Sequence, residues 1–130
     1  MKSRIEQELE LLRSKFPDLE YRPEGQWVRI SNYPRSSGWS VLSSDVVFQI
    51  PIQYPATPPY SFFVPAGAQF NGLAPDSYSE NHGVAVPFSG VWGRFSWAPE
   101  GAWQPKDPIS AGSNLVNWTL GFSDRFKEGK

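Results

Sequence analysis

Ile5, Leu9, Leu12 and Phe16 recur at i, i+4, i+7 and i+11, a spacing that lines one face of an α-helix. Ser3 stands in the N-cap position with Glu6 three residues on. Pro17 stops the helix, because the residue before a proline disfavours the helical region. The spacing predicts a helix over 3–15, with Glu6, Glu8 and Glu10 on its solvent face. The period then becomes alternating. Tyr21-Arg22-Pro23-Glu24-Gly25 reads as a turn. Residues 26–33 read as a strand, Val28 and Ile30 on one face and Trp27, Arg29 and Ser31 on the other. Residues 34–38 form a loop, and 39–42 read either as a short strand or as part of a longer hairpin. Over 45–53, Val46, Phe48, Ile50 and Ile52 face one way and Val47, Gln49, Pro51 and Gln53 the other. Pro51 has no amide hydrogen, so its side of the strand is expected unpaired or near an edge. Residues 60–64 make a fourth strand.

From 65 to 105 no period survives. The stretch is rich in Gly, Pro, Ser and aromatics, and its length predicts a functional segment or one packed by its own side chains. A second helix is predicted from Asp107 as N-cap and Pro108 as first residue. Leu115, Trp118, Phe122 and Phe126 form its apolar stripe. Gly112 and Gly121 weaken it and mark close packing. The fold class is therefore α+β: an N-terminal helix, a four-stranded antiparallel meander, a long irregular loop and a C-terminal helix, in one domain over 1–130.

Composition narrows the function. Net charge is -1 and the charges are interspersed, with no basic stripe for nucleic acid. No apolar run is long enough to span a membrane and no signal segment opens the chain, so the expectation is a cytoplasmic protein. There is no cysteine, and the single histidine is His82. The scattered carboxylates offer no metal set, and no phosphate-binding glycine loop implies a cofactor. Aromatic residues make up 15% of the chain and proline accounts for 13 positions, which predicts short strands and rigid connections rather than disorder.

The segment Tyr54-Pro55-Ala56-Thr57-Pro58-Pro59 lies between the third and fourth predicted strands. It resembles the Tyr-Pro-x-x-Pro-Pro signature of ubiquitin-conjugating enzymes, and the order of elements matches their ground plan. Trp92-Gly93-Arg94-Phe95-Ser96-Trp97, followed by Trp103-Gln104-Pro105 and a helix, is similar to the bacterial prokaryotic ubiquitin-conjugating-like family E. That resemblance implies a ubiquitin-like protein, an activating-enzyme homologue and a deconjugating metalloprotease as companions. The family's thioester chemistry needs a cysteine, which this chain lacks.

Three registrations of the active-site loop follow from the resemblance. With Trp97-Ala98-Pro99 as the family's Trp-Ser-Pro, Ser89 takes the catalytic position. With Trp103-Gln104-Pro105 in that part, Phe95 takes it and Ser96 stands beside it. With Gly83-Val84-Ala85-Val86-Pro87-Phe88 matched to the non-catalytic conjugating-enzyme variants, Ala85 or Val86 occupies it. A serine needs an adjacent general base. His82 serves only if the loop brings it to hydrogen-bond distance of Ser89, with Asp76 or Glu80 orienting it; otherwise it is a polar-loop residue, solvated or hydrogen-bonded within the turn.

Two functions of different class result. One is a non-thioester binding module for the ubiquitin-like protein or the activating enzyme. Arg4, Glu8, Leu11 and Lys15 form its outward helix face, and Pro58, Pro59, Trp92 and Trp97 its aromatic and proline contacts, although the tryptophans serve equally well as core. The other is a transferase that carries the ubiquitin-like C-terminus as an oxyester on Ser89 or Ser96.

Overall fold

A computed structural model of the chain describes residues 3–98 and 101–129. Pro99 of the Trp97-Ala98-Pro99 registration and Lys130 lie outside the described residues. Helix α1 spans Arg4–Lys15, with the Ser3 hydroxyl accepting from the Glu6 amide as expected. Strands β1 (Glu20–Arg22), β2 (Trp27–Pro34), β3 (Ser43–Gln49), β4 (Phe62–Pro65), β5 (Tyr78–Ser79) and β6 (Trp92–Phe95) precede helix α2 (Leu115–Lys127). The strands form one antiparallel sheet in the order β1-β2-β3-β4-β6-β5. The first four are sequential neighbours, as a meander requires. Among the described residues no helix is long and apolar enough to cross a membrane.

Four expectations need correction. The sheet has six strands rather than four. The stretch expected as a turn contributes Tyr21 and Arg22 to β1, and the turn itself begins only at Pro23, whose carbonyl accepts from the Gln26 amide. β5 and β6 come from the segment expected to be irregular. They were hidden because β5 has two residues and β6 four, one of them glycine, too short for a period to register. β3 ends at Gln49 instead of 53. The chain turns at Pro51, whose carbonyl accepts from the Tyr54 amide, and Ile52 is left 95% exposed instead of joining Val46, Phe48 and Ile50 inside.

The fourth correction concerns the second helix. Asp107-Pro108 does not start it. Ile109–Ala111 makes a short 3₁₀ turn and Gly112 is extended. α2 begins after Asn114, whose side chain accepts from the Asn117 amide while the Asn117 side chain accepts from the Asn114 amide. This reciprocal cap satisfies two groups that a helix end otherwise leaves open, and it outcompetes the proline start.

The expected stripe of α2 packs on the sheet. Trp118, Phe122 and Phe126 meet Phe48, Phe62 and Phe95, with Phe62 and Phe122 stacked at 4.4 Å between ring centres. Leu9 and Leu12 of α1 join the same core. Gly121 permits this approach, because a Cβ there would stand 2.7 Å from the Trp97 ring. The opposite sheet face has its own buried cluster of Trp27, Val47, Phe63, Phe88 and Trp92, with Val84 and Val86 laid against it. The segment over 82–92 thus forms a third layer, held by side chains it carries itself, as its aromatic content predicts.

Candidate functional site

The turn between β3 and β4 borders an open groove of about 670 Å³. Pro58 and Pro59 form one side, with Pro58 exposed and Pro59 buried. Trp103, Gln104, Lys106 and Trp118 shape the other. The walls are tied together by hydrogen bonds. Trp103 Nε1 donates to the Pro55 carbonyl at 2.9 Å. The Gln104 amide donates to Ser113 Oγ at 3.0 Å, and the Ser113 amide returns a bond to the Gln104 carbonyl at 2.8 Å. The Trp118 indole N–H, which also borders the groove, is buried with no hydrogen-bond partner. Among the described residues the lining holds no cysteine, histidine or carboxylate, and Lys106 is its one charge. Such a surface can bind and orient a chain.

Behind the turn lies a polar centre that the sequence reading placed on the surface. Glu8, expected to face outward, is fully buried. Its Oε1 accepts from the Tyr54 hydroxyl and from the Leu115 amide, both at 2.6 Å, and its Oε2 accepts from Arg4 Nε at 2.7 Å. Leu115 is the first residue of α2, so the carboxylate also meets the positive end of that helix. Burial, and then the hydrogen bond to Glu8 and its charge, push the Tyr54 phenol well above its ordinary range, which keeps it a donor. A signal existed in the sequence: Ile5, Glu8 and Leu12 are spaced by three and four, so Glu8 sits on the apolar stripe.

The other outward residues divide. Arg4 is half-buried and also donates to the carbonyls of Lys106, at 2.8 Å, and Ser113, at 3.3 Å. Leu11 and Lys15 are exposed. Trp92 is buried in the outer cluster and donates to the Phe88 carbonyl at 3.1 Å. Trp97 is half-buried against Trp118, Phe62 and Phe122. Both tryptophans are thus packing residues.

The residues proposed for acyl transfer are not assembled. His82 Nδ1 accepts from the Val84 amide at 2.9 Å, which puts the ring proton on Nε2, 2.8 Å from the Trp92 carbonyl. Its ring stands edge-on to Phe63. With both nitrogens engaged by backbone, it is not a base for Ser89; it is a half-buried loop residue hydrogen-bonded within its own turn and to the Trp92 carbonyl. Glu80 does not orient it, since that carboxylate accepts from the Gly67 amide and the Tyr78 hydroxyl. Asp76 uses its carbonyl to accept from Arg125 Nη2. Ser89 is exposed in the turn after Phe88, on the layer across the sheet from the helices, and Ser96 is exposed just past β6. Ala85 is exposed, and Val86, part of the outer layer, packs against the cluster beneath it. Neither serine lines the Pro58–Pro59 groove.

Comparison with protein-family models, with curated proteins and with solved structures returns no match for this chain.

Proposed function

We propose that this chain is a cysteine-free, conjugating-enzyme-like module that binds a ubiquitin-like protein or its activating-enzyme homologue without forming a thioester. The observation that carries the reading is the groove itself: the Tyr54–Pro59 turn, lying between β3 and β4, opens onto an aromatic and amide-lined channel whose described residues include no cysteine, histidine or carboxylate. The helix–meander–helix order supports the same reading, as does the exposed Leu11 and Lys15 face of α1 as a second contact. Aromatic walls with few charges are the composition of interface centres. No observation favours an acyl-carrying serine, because both nitrogens of His82 are committed elsewhere.

The test is calorimetric titration with a ubiquitin-like protein and with an activating-enzyme homologue. Saturable binding is expected, weakened about tenfold or more by Ala111→Arg, which places a long cation in the groove wall from an exposed position. Absence of heat with both proteins, or affinity unchanged by Ala111→Arg and by Leu11→Arg, overturns the proposal.

A further inference from the structure

A second, smaller pocket of about 320 Å³ lies on the other side of Pro58. It opens where β3 and β4 part. β3 and β4 share one register pair, Val47 with Phe63, and none is made beyond it toward Gln49 and Ser61. Phe63, Tyr60, Pro51, Pro58 and Val84 give the pocket apolar walls. Its polar residues are Gln49, Thr57, Ser61 and Arg94.

Ser61 and Arg94 are the informative pair. Ser61 is 2% exposed, and its hydroxyl has no hydrogen-bond partner. Its backbone sits at φ 68°, in the left-handed region that a non-glycine residue adopts only when its surroundings impose it. Arg94 neighbours it through the β4–β6 ladder, paired with Phe63. Its Nε is buried without a partner, and among the described residues no carboxylate lies within ion-pair distance of the guanidinium. Arg94 is also the one charged residue lining the pocket. A half-buried cation without a counter-ion beside a buried hydroxyl without a partner are two unmet demands with one solution. Each carries a desolvation penalty that a ligand oxygen relieves.

We propose that this pocket binds a monoanionic carboxylate with an apolar body, its oxygens held by the Arg94 guanidinium and the Ser61 hydroxyl. One cation and one hydroxyl balance a single negative charge, and a planar guanidinium matches a planar carboxylate. The apolar walls take the ligand's hydrocarbon part. The carboxylate belongs either to a free small acid or to the C-terminus of a peptide. The site shares only Pro58 with the groove of the proposed function and stands without that reading.

The experiment is an NMR titration of the isotope-labelled chain with 3-phenylpropionate, its neutral amide, inorganic phosphate, and N-acetyl-Gly-Phe as free acid and as amide. Saturable shifts at the amides of Ser61, Phe63 and Arg94 are expected with the acids and not with the amides. The tighter of the two acids identifies the source. Arg94→Gln is expected to weaken binding about tenfold or more. Ser61→Gly, which suits the positive φ and deletes the hydroxyl, is expected to weaken it several-fold while the chain stays folded. Should Arg94→Gln fail to fold, Ser61→Gly carries the test. Equal binding of acid and amide, phosphate binding as tightly as the acids, affinity unchanged in a folded variant, or no saturable shift overturns the proposal.

Discussion

A carboxylate with no exposed surface keeps its place only when donors surround it. Glu8 has three, from the Tyr54 hydroxyl, the Leu115 amide and Arg4 Nε. It thereby joins α1, the proline turn and the start of α2 at one point. Glu8→Ala leaves a buried hydroxyl and a buried helix-end amide without an acceptor, and is expected to lower the free energy of unfolding by about 3 kcal/mol. Tyr54→Phe removes one donor of three and is expected to cost about 1 kcal/mol. Urea unfolding of both variants measures the difference, and equal losses would contradict a shared acceptor. At this scale the sequence misleads where residue type and position conflict. A glutamate on a helix is normally solvated, and only its spacing from Ile5 and Leu12 hints otherwise. His82 is a milder case: its company of Ser, Glu and Asn reads as solvent, yet two backbone groups engage its nitrogens and the Phe63 ring stands against it, leaving it half-buried.

Among elements, the edge strand β5 is two residues long, and Glu80 beside it links it to the turn at Gly67. The Gly67 N–H first, and the Tyr78 hydroxyl second, hold the Glu80 carboxyl below its ordinary value of 4.5. The folded state therefore binds that proton more weakly than the unfolded chain. Its contribution to stability is present above pH 4.5 and is lost as pH falls through the folded value. Tyr78 is shifted the other way, pushed up to about 12 by burial first and then by its bond to Glu80. Its contribution is full below pH 10.0 and is lost as pH rises from there toward about 12, because the unfolded chain ionises first. Thermal melts across pH are expected to show a flatter acid limb in Glu80→Gln and a flatter alkaline limb in Tyr78→Phe. Elements this short leave no trace in a hydrophobic period. α1, β2 and the stripe of α2 were legible because each repeats its period more than once. The boundaries of β3 and α2 were not, because Pro51 and the Asn114–Asn117 cap act through hydrogen bonds that composition alone does not reveal.

For the molecule as a whole, three layers stack. The helices cover one sheet face and the segment over 82–92 covers the cluster on the other. Phe88 anchors that outer layer, with the guanidinium groups of Arg22 and Arg29 over its ring at 5.2 and 5.7 Å. Phe88→Ala is expected to cost about 3 kcal/mol of unfolding free energy. Hydrogen exchange is expected to show the added opening in β2, β3 and the 82–92 segment rather than in α2; a uniform loss of protection would mean that the outer layer and the helical core unfold as one. The aromatic content told that the long segment packs. It did not tell on which side, because Trp92 and Phe95 alternate within one four-residue strand and serve opposite faces.

The extra layer has a geometric consequence for recognition. With a layer on each side of the sheet, an incoming macromolecule meets the covering helices and the 82–92 segment rather than the faces of the strands. Two concavities open beside the turn before β4, and Pro58 is a wall of both. A visitor lodged in either one would therefore touch this proline, and a change there would be felt at both.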